Sequence, residues 1–128
     1  QAASIGAGDV RVELDAAVSG PAADTGVEIQ NSVGGTVAFV AGADGDITAL
    51  NTGLAIDNSA GTATLVDTDG DVTGNVGMVV VASGSSAGAT TIEAGGDVTG
   101  RTGDAITATT TNGDALSITV SGDPGGPM

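Results

Sequence analysis

The chain has 128 residues, of which 23 are Gly and 21 are Ala, so it is a single domain or a segment of a longer repetitive one. Its one aromatic residue is Phe39, and it contains no Trp, Tyr, His, Cys or Lys, which removes most side chains used in catalysis and in binding hot spots. The formal net charge of −14 repels nucleic acid and anionic membranes. The longest apolar run, residues 78–82, falls far short of the roughly 20 residues that span a bilayer. We therefore expect no nucleic-acid partner and no membrane insertion by this segment.

A Gly-Asp phrase returns along the chain at intervals of about 25 residues. It reads Gly-Asp-Ile-Thr at 45–48 and Gly-Asp-Val-Thr-Gly at 70–74 and 96–100, with looser copies at 17–20 and 119–122. A Gly and an apolar alternation follow at 26–29, 53–56, 77–80 and 103–106, and a third stretch lies at 36–40, 62–66, 89–93 and 116–120. The chain is thus predicted to hold about five units, each with three short strands.

These stretches are rich in Val, Ile and Thr, alternate with period two and are separated by turn-forming residues, which is typical of half-buried strands. The unit is too short for a propeller blade of about 40 residues. The sequence therefore predicts an all-β parallel β-helix (solenoid) of about five coils over residues 1–122, followed by a Gly/Pro-rich tail or linker at 123–128. A disordered linker and a β-sandwich stay open as alternatives, although neither explains the repeat.

In a parallel β-helix, equivalent side chains of successive coils stack about 4.8 Å apart. Corner glycines are expected where the coils approach closely. Of the adjacent apolar residues Leu65 and Val66, or Phe39 and Val40, only one can point inward. The predicted interior columns are Val18, Ile47, Val72, Val98 and Val120 on one face; Ile29, Ile56, Val80 and Ile106 on the second; and Val37, Val66 or Leu65, Ile92 and Ile118 on the third.

Aspartates concentrate at one corner of the predicted coil: Asp44, Asp46, Asp67, Asp69, Asp71 and Asp97. Stacked carboxylates oppose folding unless solvent or a cation separates them, and calcium, which takes six to eight oxygens, suits such a corner. However, residues 67–71 lack the later Glu of an EF-hand loop, and the nonapeptide of calcium β-rolls is absent. We favour turn-forming, solvated aspartates that need no cofactor, with calcium as the alternative.

An enzymatic role is disfavoured, since Arg11 and Arg101 lie in different coils and no aromatic platform can stack on sugars. A serine triad cannot be drawn without His. Thr48, Thr73 and Thr99 form a predicted ladder that would also suit ice binding, but we assign them to strand propensity on an outward face.

The wording of the repeat, at residues 96–106 and again at 111–122, resembles repeats in bacterial autotransporter passenger domains and in filamentous-haemagglutinin-like exoproteins. The resemblance extends from about residue 8 to residue 122 and is one of repeat style. It implies a right-handed parallel β-helix on the outer surface of a Gram-negative bacterium, and it transfers no catalytic residue. Without a recognisable leader or capping segment, the chain is expected to be a fragment or a released unit.

We therefore expect a non-catalytic, extracellular structural segment. It would serve as a stalk or adhesin passenger, or as the subunit of a surface fibre that associates through its terminal coils. Open coils expose unpaired N–H and C=O groups, which favours end-to-end stacking. The alternative is a module that binds a glycan or a host protein, and a polysaccharide-active enzyme ranks below both.

Overall fold

The computed structural model describes residues 2–4, 9–20, 22–32, 34–59, 62–83, 88–111, 115–122 and 124–125. Fifteen strands lie in these ranges. They are β1 (Ala2–Ser4), β2 (Val10–Leu14), β3 (Val18–Gly20), β4 (Thr25–Asn31), β5 (Thr36–Ala41), β6 (Ile47–Ala49), β7 (Thr52–Asn58), β8 (Ala63–Thr68), β9 (Val72–Gly74), β10 (Val76–Ala82), β11 (Thr90–Ala94), β12 (Val98–Gly100), β13 (Ile106–Thr110), β14 (Leu116–Val120) and β15 (Pro124–Gly125).

Every third strand belongs to the same sheet. Sheet A has the order β1-β4-β7-β10-β13, sheet B has β2-β5-β8-β11-β14 and sheet C has β3-β6-β9-β12-β15. The pairings among the described strands are all parallel. The chain passes five times through each sheet. Because four steps separate the first strand of a sheet from its fifth, this is a β-solenoid of about four turns with three strands per turn.

This architecture confirms the all-β solenoid and overturns both alternatives for the described residues. A β-sandwich needs antiparallel neighbours, and a disordered linker would have no regular ladders. The right-handed winding stays a prediction. No helix in the described part of the chain is long and apolar enough to cross a membrane.

The core lies between the three sheets and is built from inward columns of apolar side chains. In sheet B one column contains Val12, Phe39, Val66, Ile92 and Ile118. Its three middle members are fully buried. Each inner strand is covered by a strand on either side, so its inward side chains are shielded from solvent. Of the adjacent apolar residues, Phe39 and Val66 are the ones that point inward, whereas Val40 and Leu65 face outward.

All three predicted columns were partly wrong. In sheet C, Val18, Ile47, Val72 and Val98 are in register as predicted, but the next partner is Pro124, while Val120 pairs with Ala94 in sheet B. The short spacing of the last phrase therefore marked the end of a sheet B strand.

The other two columns contain shifts of two residues. In sheet A, Ile29, Ile56 and Val80 stack as predicted, but Val80 is followed by Ala108, and Ile106 pairs with Met78. In sheet B, Val37 pairs with Thr64 rather than with Val66. A shift of two keeps a side chain on the same face of the sheet, so Val37 is still buried.

Glycines at the corner before sheet C allow the turns of the solenoid to approach closely. A Cβ atom on Gly70 would lie 2.7 Å from the carbonyl carbon of Gly45, and one on Gly96 would lie 2.5 Å from the carbonyl oxygen of Gly70. Backbone atoms cannot move aside as a flexible side chain can. Close packing between turns therefore explains why the phrase contains a glycine.

The tail predicted from residue 123 is partly described. Pro124 and Gly125 form β15 and pair with β12, so these two residues extend sheet C. Residues 123 and 126–128 lie outside the described ranges.

Candidate functional site

The three aspartates of the Gly-Asp phrase form a column at the corner before sheet C. The Oδ1 atom of Asp46 accepts a hydrogen bond from the backbone N–H of Asp71 at 2.8 Å, and Oδ1 of Asp71 accepts one from the N–H of Asp97 at 2.9 Å. In return, the backbone N–H of Ile47 donates to the carbonyl oxygen of Asp71 at 2.7 Å. All three aspartates are exposed, and the carboxylates of Asp46 and Asp71 each link one turn of the solenoid to the next.

The other three predicted site residues lie elsewhere. Asp44 is exposed in the five-residue link 42–46 between β5 and β6, whereas the equivalent links 69–71 and 95–97 have three residues. Asp44 therefore lies in an insertion with no counterpart in the next turns. Asp69 begins the link after β8, and Asp67 lies on β8 itself. The six aspartates are thus divided among an insertion, a column, the start of a link and a strand.

A shallow acidic groove of about 200 Å³ lies on the outside of sheet B, and its lining includes Asp67, Asp69, Glu93 and Thr119. Asp67 and Glu93 are direct partners in the ladder between β8 and β11. Like charges directly opposite each other destabilise a sheet. The part of the chain that the structure describes contains no group of three or more His, Cys, Asp or Glu side chains arranged to hold a metal ion. Sequence reasoning did not single out Glu93, although it follows Asp67 by 26 residues, which is one repeat.

A second missed feature is a buried asparagine pair at the corner between sheets A and B. The Asn31 side-chain amide donates to Oδ1 of Asn58 at 3.0 Å, and the Asn58 amide donates to the Thr64 hydroxyl at 2.9 Å. In the next turn, Ala82 occupies the position of Asn58, and Thr90 stacks on Thr64. The Thr90 hydroxyl is consequently buried and has no hydrogen-bond partner among the described residues. The 27-residue spacing of Asn31 and Asn58 was the available signal.

Arg101 braces the corner between sheets C and A. Its Nη2 atom donates to the carbonyl oxygens of Ala49, at 2.5 Å, and Leu50, at 2.9 Å. The backbone N–H of Arg101 donates to the carbonyl oxygen of Gly74, which lies in the adjacent turn. The side chain therefore reaches past the neighbouring turn.

The first and second turns are joined by a carboxylate on the outer edge of sheet B. Oδ1 of Asp9 accepts a hydrogen bond from the backbone N–H of Thr36 at 2.9 Å. This hydrogen bond to the charged form holds the pKa of Asp9 below its ordinary value. Like the Asp46 carboxylate, Asp9 ties one turn to the next.

β14, an outer strand of sheet B, presents an apolar edge. Leu116 and Ile118 on β14 are 42% and 45% exposed, whereas Ile92, the partner of Ile118 on β11, is fully buried. Val120 is half-buried on the same strand. These side chains occupy core positions but have a covering strand on one side only among the described residues, so they are the apolar surface most suited to pairing with another chain.

A groove on the outer face of sheet A, with a volume of about 120 Å³, is lined by residues that include Gln30, Asp57, Val79 and Val81. Ligand pockets usually have volumes of at least roughly 300 Å³. Neither this groove nor the acidic one therefore favours a small-molecule site over a structural role.

Comparison with known proteins assigns the chain to no family. The chain matches no family model, no curated protein sequence and no solved structure.

Proposed function

We propose that the chain is a non-catalytic structural segment of an extracellular β-helical rod. It would act as a stalk or adhesin passenger at a bacterial surface, or as a subunit that associates end to end into a surface fibre. The observation that carries this proposal is the continuity of three parallel sheets through five strands each, with both outer strands of every sheet at the ends of the solenoid.

The rod role is supported by where the stabilising contacts lie. The asparagine pair and the aspartate column each join one turn to the next, and Arg101 spans two turns. Contacts of this kind resist bending and local opening because no turn can separate without breaking them. A spacer that holds another domain away from a surface needs this type of reinforcement.

Association into a fibre is supported by the edge of β14. Core-type side chains exposed on an edge strand gain from pairing with a further strand. Because the two ends of a solenoid are different surfaces, the contact is heterologous and continues from copy to copy.

The bacterial surface location follows from the resemblance of the repeat to autotransporter passengers and haemagglutinin-like exoproteins. It is also consistent with the lack of Cys, since exported bacterial proteins often do without it. Glycan or host-protein binding is the competing role, for which the shallow outer grooves give weak support.

Sedimentation velocity over a wide range of protein concentration, with negative-stain electron microscopy of the same samples, tests the proposal. Short rods at low concentration that lengthen into filaments at high concentration support the fibre subunit. Dispersed rods of constant length at all concentrations support the stalk alone. Compact spherical particles contradict both.

A further inference from the structure

We propose that copies of this chain join head to tail by pairing β14 of one copy in parallel with β2 of the next, in the register of the internal ladder. In this register Leu116 faces Val10, Ile118 faces Val12 and Val120 faces Leu14. The inference rests on the proposed end-to-end association and specifies its interface.

The register follows from the order of strands in sheet B. β2 and β14 are its two outer strands, and the ladder steps through Val12, Phe39, Val66, Ile92 and Ile118 in a single column. A second copy placed one strand spacing beyond β14 presents Val12 as the next member of that column. The neighbouring positions then match without a shift, because both strands have five residues.

Burial at the two ends favours this pairing. Both β2 and β14 carry three apolar side chains at inward positions, and those of β14 include the 42% and 45% exposed Leu116 and Ile118. Val12 and Leu14 on β2 pack against the core but stay half-buried. Pairing would give all of these side chains the covering strand that Phe39, Val66 and Ile92 already have.

Charge at the junction is also compatible. The outward residues of β2 are Arg11 and Glu13, which pair with each other at 2.5 Å, and they would face the neutral Ser117 and Thr119. No like charges are brought together at these positions. Side-by-side contact would instead bring together the outer faces of two chains that each carry a net charge of −14.

Sheet C contributes less to the contact. Its last strand, β15, begins with Pro124, which has no backbone N–H to donate to a following strand. The exposed apolar side chains Leu116 and Ile118 lie in sheet B, so outward positions of sheet B are the place to test the junction.

Paired cysteines provide the test, because the natural chain contains no Cys. The variant Ser117→Cys with Arg11→Cys places two thiols opposite each other across the junction, at a strand spacing of about 4.8 Å, within the range that a disulfide spans. The matched control, Thr119→Cys with Arg11→Cys, offsets the thiols by two residues, which separates the Cα atoms by about 8 Å and exceeds the disulfide limit of about 7 Å. Within one copy the two positions lie four strand spacings apart, so a bond inside a single chain is excluded.

Both variants are oxidised under conditions in which the unmodified chain associates, and the products are separated on a non-reducing gel. We expect a ladder of covalent multimers from the first variant and at least about fivefold less from the control, while Ser117→Cys alone stops at dimers. Equal or stronger cross-linking of the control, with association intact, overturns the register but leaves end-to-end association standing. If the unmodified chain stays monomeric at every concentration, the fibre proposal fails and this interface fails with it.

Discussion

Asp46 and Asp71, one repeat apart, are joined through a side chain and a backbone group, because the Asp46 carboxylate accepts the N–H of Asp71 at 2.8 Å. Asp71 repeats this contact with Asp97. The Gly-Asp phrase is therefore a structural unit in which the glycine permits close approach and the aspartate ties the turns together. This gives the repeated acid a role that needs no bound ligand.

Replacing Asp71 by Ala removes the acceptor for the Asp97 N–H and should lower the free energy of unfolding by about 1 kcal/mol. Asp71→Asn retains an Oδ1 acceptor and should keep most of that stability. Urea denaturation followed by circular dichroism measures both values. Equal losses in the two variants would show that the negative charge, and not the hydrogen bond, matters at this corner.

Removal of divalent cations should leave the thermal unfolding midpoint unchanged, because backbone N–H groups already bond to the carboxylates of Asp46 and Asp71. The measurement compares unfolding in excess chelator with unfolding in millimolar calcium. A clearly lower midpoint in chelator would instead support the calcium site predicted from Asp44, Asp46, Asp67, Asp69, Asp71 and Asp97.

The direct pairing of Asp67 with Glu93 is a local source of repulsion. Glu93→Gln should raise the free energy of unfolding by roughly 0.2–1 kcal/mol, and the gain should shrink in about 1 M salt, where charges are screened within about 3 Å. Glu13→Gln is the control, since Glu13 faces Val40 and pairs with Arg11 and should give no gain. A loss of stability in Glu93→Gln would mean that the two carboxylates share a cation.

Two buried threonines in one ladder should respond in opposite ways to replacement by Val. Thr90→Val removes a buried hydroxyl that lacks a partner and should stabilise the fold by about 1 kcal/mol. Thr64→Val removes the acceptor of the Asn58 amide and should destabilise it by about 1–3 kcal/mol. Chemical denaturation of both variants checks the pair. A loss in Thr90→Val comparable to that in Thr64→Val would place a hydrogen-bond partner near Thr90.

Most of the architecture could be predicted from the sequence, because the Gly-Asp phrase keeps an almost constant spacing. The solenoid, its three strands per turn and the columns at Ile47 and Ile56 all follow from that period. The shift in sheet A depended on the length of the link before β13. Gly74 and its partner Gly100 are 26 residues apart, but Met78 and its partner Ile106 are 28 apart. The link between β12 and β13 therefore contains two extra residues, which shift the register of β13.

The candidate site was predicted less completely than the fold. The column of Asp46, Asp71 and Asp97 follows from the repeat, but its bonds to the backbone depend on how closely the glycines let the turns approach. The brace made by Arg101 could not be predicted, because a side chain that passes one turn and binds the next leaves no periodic signal.

The central claim, that this chain forms a rod that lengthens by adding copies at its ends, is tested most directly by small-angle X-ray scattering at rising concentration. The account predicts an unchanged cross-sectional radius while the particle length increases. A cross-section that widens with concentration would instead show side-by-side association and contradict the end-to-end interface.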